Sequence, residues 1–324
     1  MARVALGCLL VGALAACSRE KEAAPVAAAP SASVRPAPPL AGPVASGLPS
    51  PEVVSAQVNP GNESAYAGPV GTVRGKVVAT GDAPLDLPRV LAKIPDSCPA
   101  GKDMYGKLFR EGPGRALADV LVAVTGYKGY VPERAEAQRV EAKDCTFGTR
   151  TLALTFGQRI DVASMDQQSY IPELLGEHGQ PQLVATPGNK TPSPLYPTHI
   201  GRFGLIDNLK LFMTADVMVV KFATHAVTGL DGRFEIKGVP VGPVKVNALL
   251  VATGGGAERD ITVEADKPTE EIVFEVAFDA DAYAKQLDGG APAPSGRAAR
   301  GKAPAASDSA KPRLAAPKPS SAGH

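Results

Sequence analysis

The sequence predicts an all-β architecture between residues 71 and 285, built as sandwiches of short strands. Several segments there alternate apolar and polar residues with a period of two, which is typical of half-buried strands. Gly, Pro and Asp residues that favour turns separate these segments at short intervals. No segment in this range has the apolar period of a long amphipathic helix.

The first part of this region contains four predicted strands, which are followed by at least two more. In "GTVRGKVVAT", residues 71–80, Val73, Val77 and Ala79 point to one face, and Arg74 and Lys76 point to the other. The next predicted strands cover residues 117–127, 152–156 and 159–163, and the dipeptide "GQ" joins the last two. Residues 202–228 supply at least two more strands.

The second half predicts a hairpin and two closing strands. In "DGRFEIKGVPVGPVKVNALLV" a strand at 233–236 is followed by a turn at 237–243 and by a second strand. The side chains of that second strand that we expect to face inward are Val244, Val246, Ala248 and Leu250. The segments "RDITVEAD" and "EEIVFEVAF" complete the set.

The N-terminus predicts export. An apolar run from residue 4 to residue 16 follows Arg3, and it suits a signal peptide but is too short to span a bilayer. It ends in "LAAC", which resembles the lipobox of bacterial lipoproteins. The resemblance implies that residues 1–16 are removed and that Cys17 carries the lipid anchor, at the periplasmic face or on the outer membrane of the cell envelope. An ordinary signal peptide followed by a chance Cys is the alternative.

Two segments are predicted to be disordered. Residues 17–70 are rich in Ala, Pro, Ser and Val, which predicts a tether between the anchor and the folded part. Residues 286–324 form a tail, and from residue 289 onward six Lys and Arg residues accompany a single acid, Asp308. Such a basic tail either touches an anionic surface or only aids solubility.

Composition and motifs exclude several functions. The formal net charge is +1 and Trp is absent, so neither nucleic-acid binding nor an aromatic stacking platform is indicated. The sequence has no G-x-S-x-G, H-E-x-x-H or phosphate-binding glycine loop, and we predict that the protein is not an enzyme.

The segment "AVTGLDGRFEIKGVPVGPVKV", residues 226–246, resembles the carboxypeptidase regulatory-like, or transthyretin-like, module. In this pattern Asp231 and Gly232 make a tight reversal and Phe234 enters the core. The resemblance implies a small structural sandwich over residues 221–285.

Residues 71–220 resemble the plastocyanin-like (cupredoxin) proteins of bacterial envelopes. The likeness lies in the order of features, namely "GTVRGKV", Cys98, "LADV" at 117–120, Cys145, the Gly-Gln turn at 157–158 and Met213. The resemblance implies a cupredoxin-like sandwich that is degenerate at its metal site.

Four residues occupy the positions where the cupredoxin family holds its metal. Type 1 copper requires two imidazoles, a thiolate and a weak axial thioether. The two His positions are Tyr170 and Lys210, the Cys position is Asp207, and only the axial Met213 is retained. We therefore predict a vestigial site without copper or any other cofactor, in which Asp207 and Lys210 pair across the turn. A weak metal site at His199 and Asp207 is the alternative.

The cysteine pair Cys98 and Cys145 predicts a structural disulfide, because exported proteins with an even cysteine pair usually bridge it. A closed loop of this length would contribute about 4 kcal/mol to stability by chain entropy. Free buried thiols and a metal site remain alternatives.

These observations favour a membrane-anchored protein with a non-catalytic binding or scaffolding role in the envelope. Its partners would be the membrane, through the lipid anchor, and an envelope protein or a cell-wall glycan. A carbohydrate-binding protein and an unusual metal-binding or electron-transfer protein are the alternatives.

Overall fold

The computed structural model describes residues 47–133, 137–177, 183–188 and 191–288, and strands dominate them. The strands are β1 (Val70–Gly81), β2 (Val120–Thr125), β3 (Ala137–Ala142), β4 (Thr151–Thr155), β5 (Arg159–Ser164), β6 (Pro172–Leu175), β7 (Ser193–Leu195), β8 (Gly201–Asp207), β9 (Thr214–Val220), β10 (His225–Val227), β11 (Arg233–Pro240), β12 (Gly242–Leu250), β13 (Gly255–Val263) and β14 (Ile272–Phe278). The helices are α1 (Pro51–Val58), α2 (Pro88–Leu91), α3 (Pro99–Tyr105) and α4 (Ala280–Asp288). The prediction of an all-β sandwich architecture is confirmed.

The strands form four sheets, which pair into two sandwiches. Sheets of order β11-β1-β14 and β10-β2-β12-β13 enclose one apolar core, and we call them the enclosing sandwich. Sheets of order β3-β5-β7 and β4-β9-β8-β6 enclose the other core, and we call them the inserted sandwich. The second name describes the chain order, because β3 to β9 lie between β2 and β10 in the sequence.

The chain is therefore divided between the two cores differently from the predicted domain boundary, which lies between residues 220 and 221. Strand β1 pairs antiparallel with β11 and parallel with β14, so that Gly75 lies opposite both Phe234 and Ile272. Strand β2 pairs with β10 and β12 in the same sandwich. Alternation along β1 and β2 predicts a buried face but does not specify which core that face joins.

The buried faces predicted for the enclosing sandwich are confirmed. Val73 and Val77 of β1 are fully buried, as is Val246 of β12, and Leu250 is exposed by only 1%. Complete burial of such a side chain contributes roughly 1.5–3 kcal/mol. This core is therefore stabilised mainly by apolar area.

The hairpin β11–β12 is tighter than predicted. Residues 237–240 continue β11 instead of forming a turn, and β12 begins at Gly242. Gly238, at φ +71°, lies at a bulge where the partner register jumps from Lys237 to Val239. The reversal at Gly232 has φ +69°, and a Cβ there would lie 2.4 Å from the carbonyl oxygen of Val77. Both glycines are thus required by the local backbone.

The inserted sandwich confirms the predicted strands on either side of the Gly157–Gln158 turn, since β4 precedes it and β5 follows it. Three of its strands were not predicted, namely β3, β6 and β7. Strands of three to six residues with Pro and charged residues give little periodic signal. Pairing with longer neighbours stabilises them instead.

A third, small apolar cluster joins the two sandwiches. Leu121 and Leu249 of the enclosing sandwich pack with Ala153 and Met218 of the inserted sandwich. Because these side chains point away from their own cores, the two sandwiches meet sheet against sheet.

Two helices lie at the ends of the described chain. The predicted tether, 17–70, contains α1, in which Pro51 occupies the first turn after the Ser50 cap and Val54 and Val58 pack on the inserted core. Helix α4 continues past the predicted module end at residue 285. Residues 17–46 and 289–324, with Cys17 and most of the predicted tail, lie outside the described residues. Among the described helices, none has the length and apolar character needed to cross a membrane.

Candidate functional site

The segment 207–213 connects β8 to β9 in a turn closed by its own backbone. The Asp207 N–H donates to the Met213 carbonyl at 3.2 Å, and the Met213 N–H donates to the Lys210 carbonyl at 2.8 Å. Asp207 and Met213 are both fully buried. The turn is therefore a fixed part of one end of the inserted sandwich.

The Asp207 carboxylate accepts three backbone hydrogen bonds. The donors are the N–H groups of Ile171 at 2.6 Å, Lys210 at 2.7 Å and Leu209 at 3.1 Å. A buried carboxylate requires such donors, because its charge would otherwise be stranded away from water. Asp207 thus holds its own turn closed and attaches it to the segment before β6.

The Lys210 ammonium group lies on Tyr170. Its nitrogen is 4.2 Å from the centre of the aromatic ring and 3.3 Å from the carbonyl oxygen of Ser169. This arrangement combines a cation–π contact with a hydrogen bond. The expected pairing of Lys210 with Asp207 is wrong, because backbone amides occupy the carboxylate and the ammonium group turns to the ring.

The Tyr170 hydroxyl extends the polar contacts to Asp166. It donates to the Asp166 carboxylate at 2.7 Å, and the amides of Gln168 and Asp144 donate to the same carboxylate. Burial raises the pKa of Tyr170, and the neighbouring Asp166 charge raises it further. Burial opposes ionisation of Asp166, but the hydrogen bonds outweigh it and the pKa of Asp166 is lowered. Asp166 is therefore ionised and Tyr170 protonated near neutral pH.

The structure thus brings the four predicted positions together at one end of the inserted sandwich. Tyr170 and Met213 belong to the same core, and Lys210 and Asp207 contact the chain beside Tyr170. Within the described ranges, no three His, Cys, Asp or Glu side chains are grouped so as to hold a metal ion. That these positions descend from a copper site stays a prediction.

The alternative metal pair, His199 with Asp207, is wrong. Asp207 ends β8, whereas His199 precedes the start of β8 at Gly201, so the strand separates them by roughly 20 Å. His199 instead packs against Phe203, with tilted rings whose centres are 4.5 Å apart, and lies 3.7 Å from the Glu177 carboxylate. His178 and His324 lie outside the described residues.

The predicted disulfide between Cys98 and Cys145 is confirmed, with their Cα atoms 5.7 Å apart. It connects the residue before α3 to the turn between β3 and β4. Nearby, the Tyr105 hydroxyl accepts a hydrogen bond from the Phe147 amide at 3.2 Å. The bridge and this bond fix α3 against the inserted core.

Sequence reasoning missed a buried ion pair at the joint between the sandwiches. Both Asp119 carboxylate oxygens accept from the Arg110 guanidinium at 2.7 Å. One of these oxygens also accepts from the Thr149 hydroxyl and the Arg150 amide of the inserted sandwich. Asp119 has φ +64°, which few residues other than glycine tolerate. An Asp interrupting an otherwise apolar predicted strand, 117–127, was the available signal.

His225 also lies at this joint. Its Nε2 atom is 3.4 Å from the Thr155 hydroxyl of the inserted sandwich. Burial lowers the pKa of His225 to about 4. The ring is therefore neutral near pH 7.

Comparisons with known proteins give structural likeness only. No protein-family model matches the chain, and no curated protein matches it. A reduced amicyanin variant matches 26% of this chain and 82% of its own, at 16% identity and a TM-score of 0.24. A Cu(I) amicyanin variant matches 27% of this chain and 85% of its own, at 17% identity and a TM-score of 0.23. The copper-containing nitrite reductase NirK from Thermus scotoductus SA-01 matches 44% of this chain, at 15% identity and a TM-score of 0.21, and 28% of its own length is covered. These proteins are cupredoxins, and at these values the likeness assigns no activity to this chain.

Proposed function

We propose that this protein is a lipid-anchored protein of the bacterial envelope with a non-catalytic binding or scaffolding role. The anchor is supported by "LAAC", residues 14–17, after an apolar run of signal-peptide length. The resemblance of this motif to a lipobox assigns the lipid to Cys17.

The proposal that the site binds no metal is supported by the contacts that its charged side chains already make. The Asp207 carboxylate accepts three amide donors, and the Lys210 ammonium group lies on the Tyr170 ring. A cation at this end of the sandwich would have to displace the amides and face the ammonium charge. The hydrogen bonds of Asp207 are the observation that carries the proposal.

Copper binding tests this part of the proposal. Purified protein given one equivalent of Cu(II) should stay colourless and gain no thermal stability. A tightly bound ion would raise the free energy of unfolding by about 2.7 kcal/mol at a hundredfold excess over its Kd. A blue species, or copper retained through dialysis by tag-free protein, would refute the proposal.

Membrane fractionation tests the anchor. The Cys17→Ser variant should leave the membrane fraction or keep its signal peptide uncleaved, because lipidation and cleavage both depend on that residue. Lys221→Met, at an exposed position, serves as the control, since it leaves both the motif and the disulfide intact. A Cys17→Ser protein that is processed and fractionates like the wild type would show that no lipid anchor is attached there.

A further inference from the structure

A long groove runs where the two sandwiches meet, and we call it the junction groove. It consists of two adjoining cavities of about 530 and 310 Å³ that share Gln138 and His225. One wall is the segment 223–230, which contains β10. The facing wall contains residues of the inserted sandwich, among them Thr151, Ala153, Thr155 and Gln158.

Strand β10 presents an open backbone edge to this groove. The backbone groups of Thr224 and Thr228 form hydrogen bonds with β2. For example, the Thr224 carbonyl accepts a hydrogen bond from the Val124 N–H at 2.8 Å. Ala226 between them lies opposite Val122 in the same ladder. Backbone groups alternate in direction along an antiparallel strand, so those of His225 and Val227 point away from β2. Neither residue has a backbone hydrogen-bond partner within the described part of the chain.

The end of the groove beside β11 carries an unsatisfied acid. The Oε2 atom of Glu133 is buried and has no hydrogen-bond partner among the residues that the structure describes. The nearby Glu235 carboxylate lies 3.4 Å from the Lys237 ammonium group, so these two charges balance. A buried acceptor without a donor has a free-energy cost, because its lost contact with water is not replaced. A ligand that brings a cation to Glu133 would remove this cost.

These features together specify the ligand. A row of free N–H and C=O groups along a strand edge pairs with the main chain of an extended peptide. We propose that the junction groove binds an extended peptide segment of a partner protein, which adds a strand to β10 and places a Lys or Arg side chain at Glu133. The inference rests on the binding role proposed above and names its partner class. The wall 223–230 is long enough for a segment of about six residues.

Fluorescence anisotropy with the full-length protein tests the proposal. The probes are six labelled hexapeptides of alternating Val and Thr, each carrying one Lys at a different position. At least one should bind saturably, and replacing its Lys by Glu should weaken binding roughly tenfold or more. Glu133→Gln should weaken the same peptide by a similar factor, whereas Glu264→Gln, an exposed glutamate on another surface, should leave it unchanged.

Backbone pairing is tested separately by methylating the peptide. N-methyl groups on alternate residues remove the donors that face β10 in one version and the donors that face solvent in the other. The peptide that lacks the donors facing β10 should lose binding, and the peptide that lacks the donors facing solvent should keep it. Equal effects of the two versions would mean that no strand is added and would overturn the proposal.

Two further outcomes would also overturn it. If none of the six peptides binds below 1 mM, the groove is not a peptide site. If binding appears only after the basic residues of segment 297–318 are changed to Gln, the occupant is this chain's own tail and not a partner. Neither outcome would alter the fractionation of Cys17→Ser, so failure of this inference is distinguishable from failure of the anchor.

Discussion

The cores of the two sandwiches contain different kinds of side chain. Among the described residues, the apolar core of the enclosing sandwich contains only aliphatic and Phe side chains, and the buried hydroxyls of Thr224 and Thr228 lie at its edge strand β10. The core of the inserted sandwich also contains the hydroxyls of Tyr105 and Tyr170 and the Cys98–Cys145 bridge, and Asp207 is buried at its end. Stability from apolar area is spread over many contacts, whereas buried polar groups depend on particular partners. Single substitutions should therefore be most damaging at the joint and in the inserted sandwich.

The largest effect is expected at the joint. Asp119→Ala leaves Arg110 buried without its partner and should lower the free energy of unfolding by about 3–5 kcal/mol. Denaturant unfolding measures the change. Asp266→Ala is the matched control, because Asp266 also has positive φ, at +53°, but is exposed. A similar loss in both variants would show that backbone strain, and not the ion pair, is responsible.

Removal of the disulfide should come next. The double variant Cys98→Ala with Cys145→Ala should lose about 2–4 kcal/mol, because the unfolded chain regains the entropy of the open loop. Thermal unfolding with and without reductant measures this loss. Reductant should destabilise the wild type and leave the double variant unaffected, and an equal response of both proteins would contradict the assignment.

The third effect depends on pH and concerns His225. Burial lowers its pKa in the folded state to about 4, below the value of about 6.5 in the unfolded chain. The unfolded state therefore binds more protons between these values. This contribution to stability is complete above pH 6.5 and is lost as the pH falls towards 4, with a slope of at most about 1.4 kcal/mol per pH unit.

His225→Gln should flatten the stability profile between pH 4 and pH 6.5. Unfolding midpoints measured across this range would decide the matter. An unchanged slope in His225→Gln would show that other groups cause the acid sensitivity.

The smallest effect is expected at the turn that resembles a metal loop. Lys210→Met removes the charge over Tyr170 but keeps most of the side-chain volume, and should cost about 0.5–1 kcal/mol. Lys221→Met, at an exposed position, should change the unfolding free energy less. A loss above about 2 kcal/mol in Lys210→Met would mean that the ammonium group has a larger structural role than its two contacts indicate.

Local patterns in the sequence were sufficient for several features. Alternation in 71–80 and 244–250 predicted buried faces that the structure shows, because side chains on a strand alternate with a period of two. Asp231–Gly232 predicted a reversal, because few residue pairs adopt that backbone. The Cys98–Cys145 bridge followed from the even cysteine count and the predicted export.

Only the tertiary structure decided how these elements combine. Strand β1 pairs with β14, nearly 200 residues away, and such pairing depends on long-range packing that no local pattern encodes. The chain thereby closes one sandwich around the insertion of another. The burial of Asp119 and the open edge of β10 follow from that closure. The sequence by itself determined the longer strands and the Asp231–Gly232 reversal, because alternation and turn residues are local properties of the chain. The choice of sheet partners and of the polar groups left facing a groove required the folded chain, because both depend on residues distant in sequence.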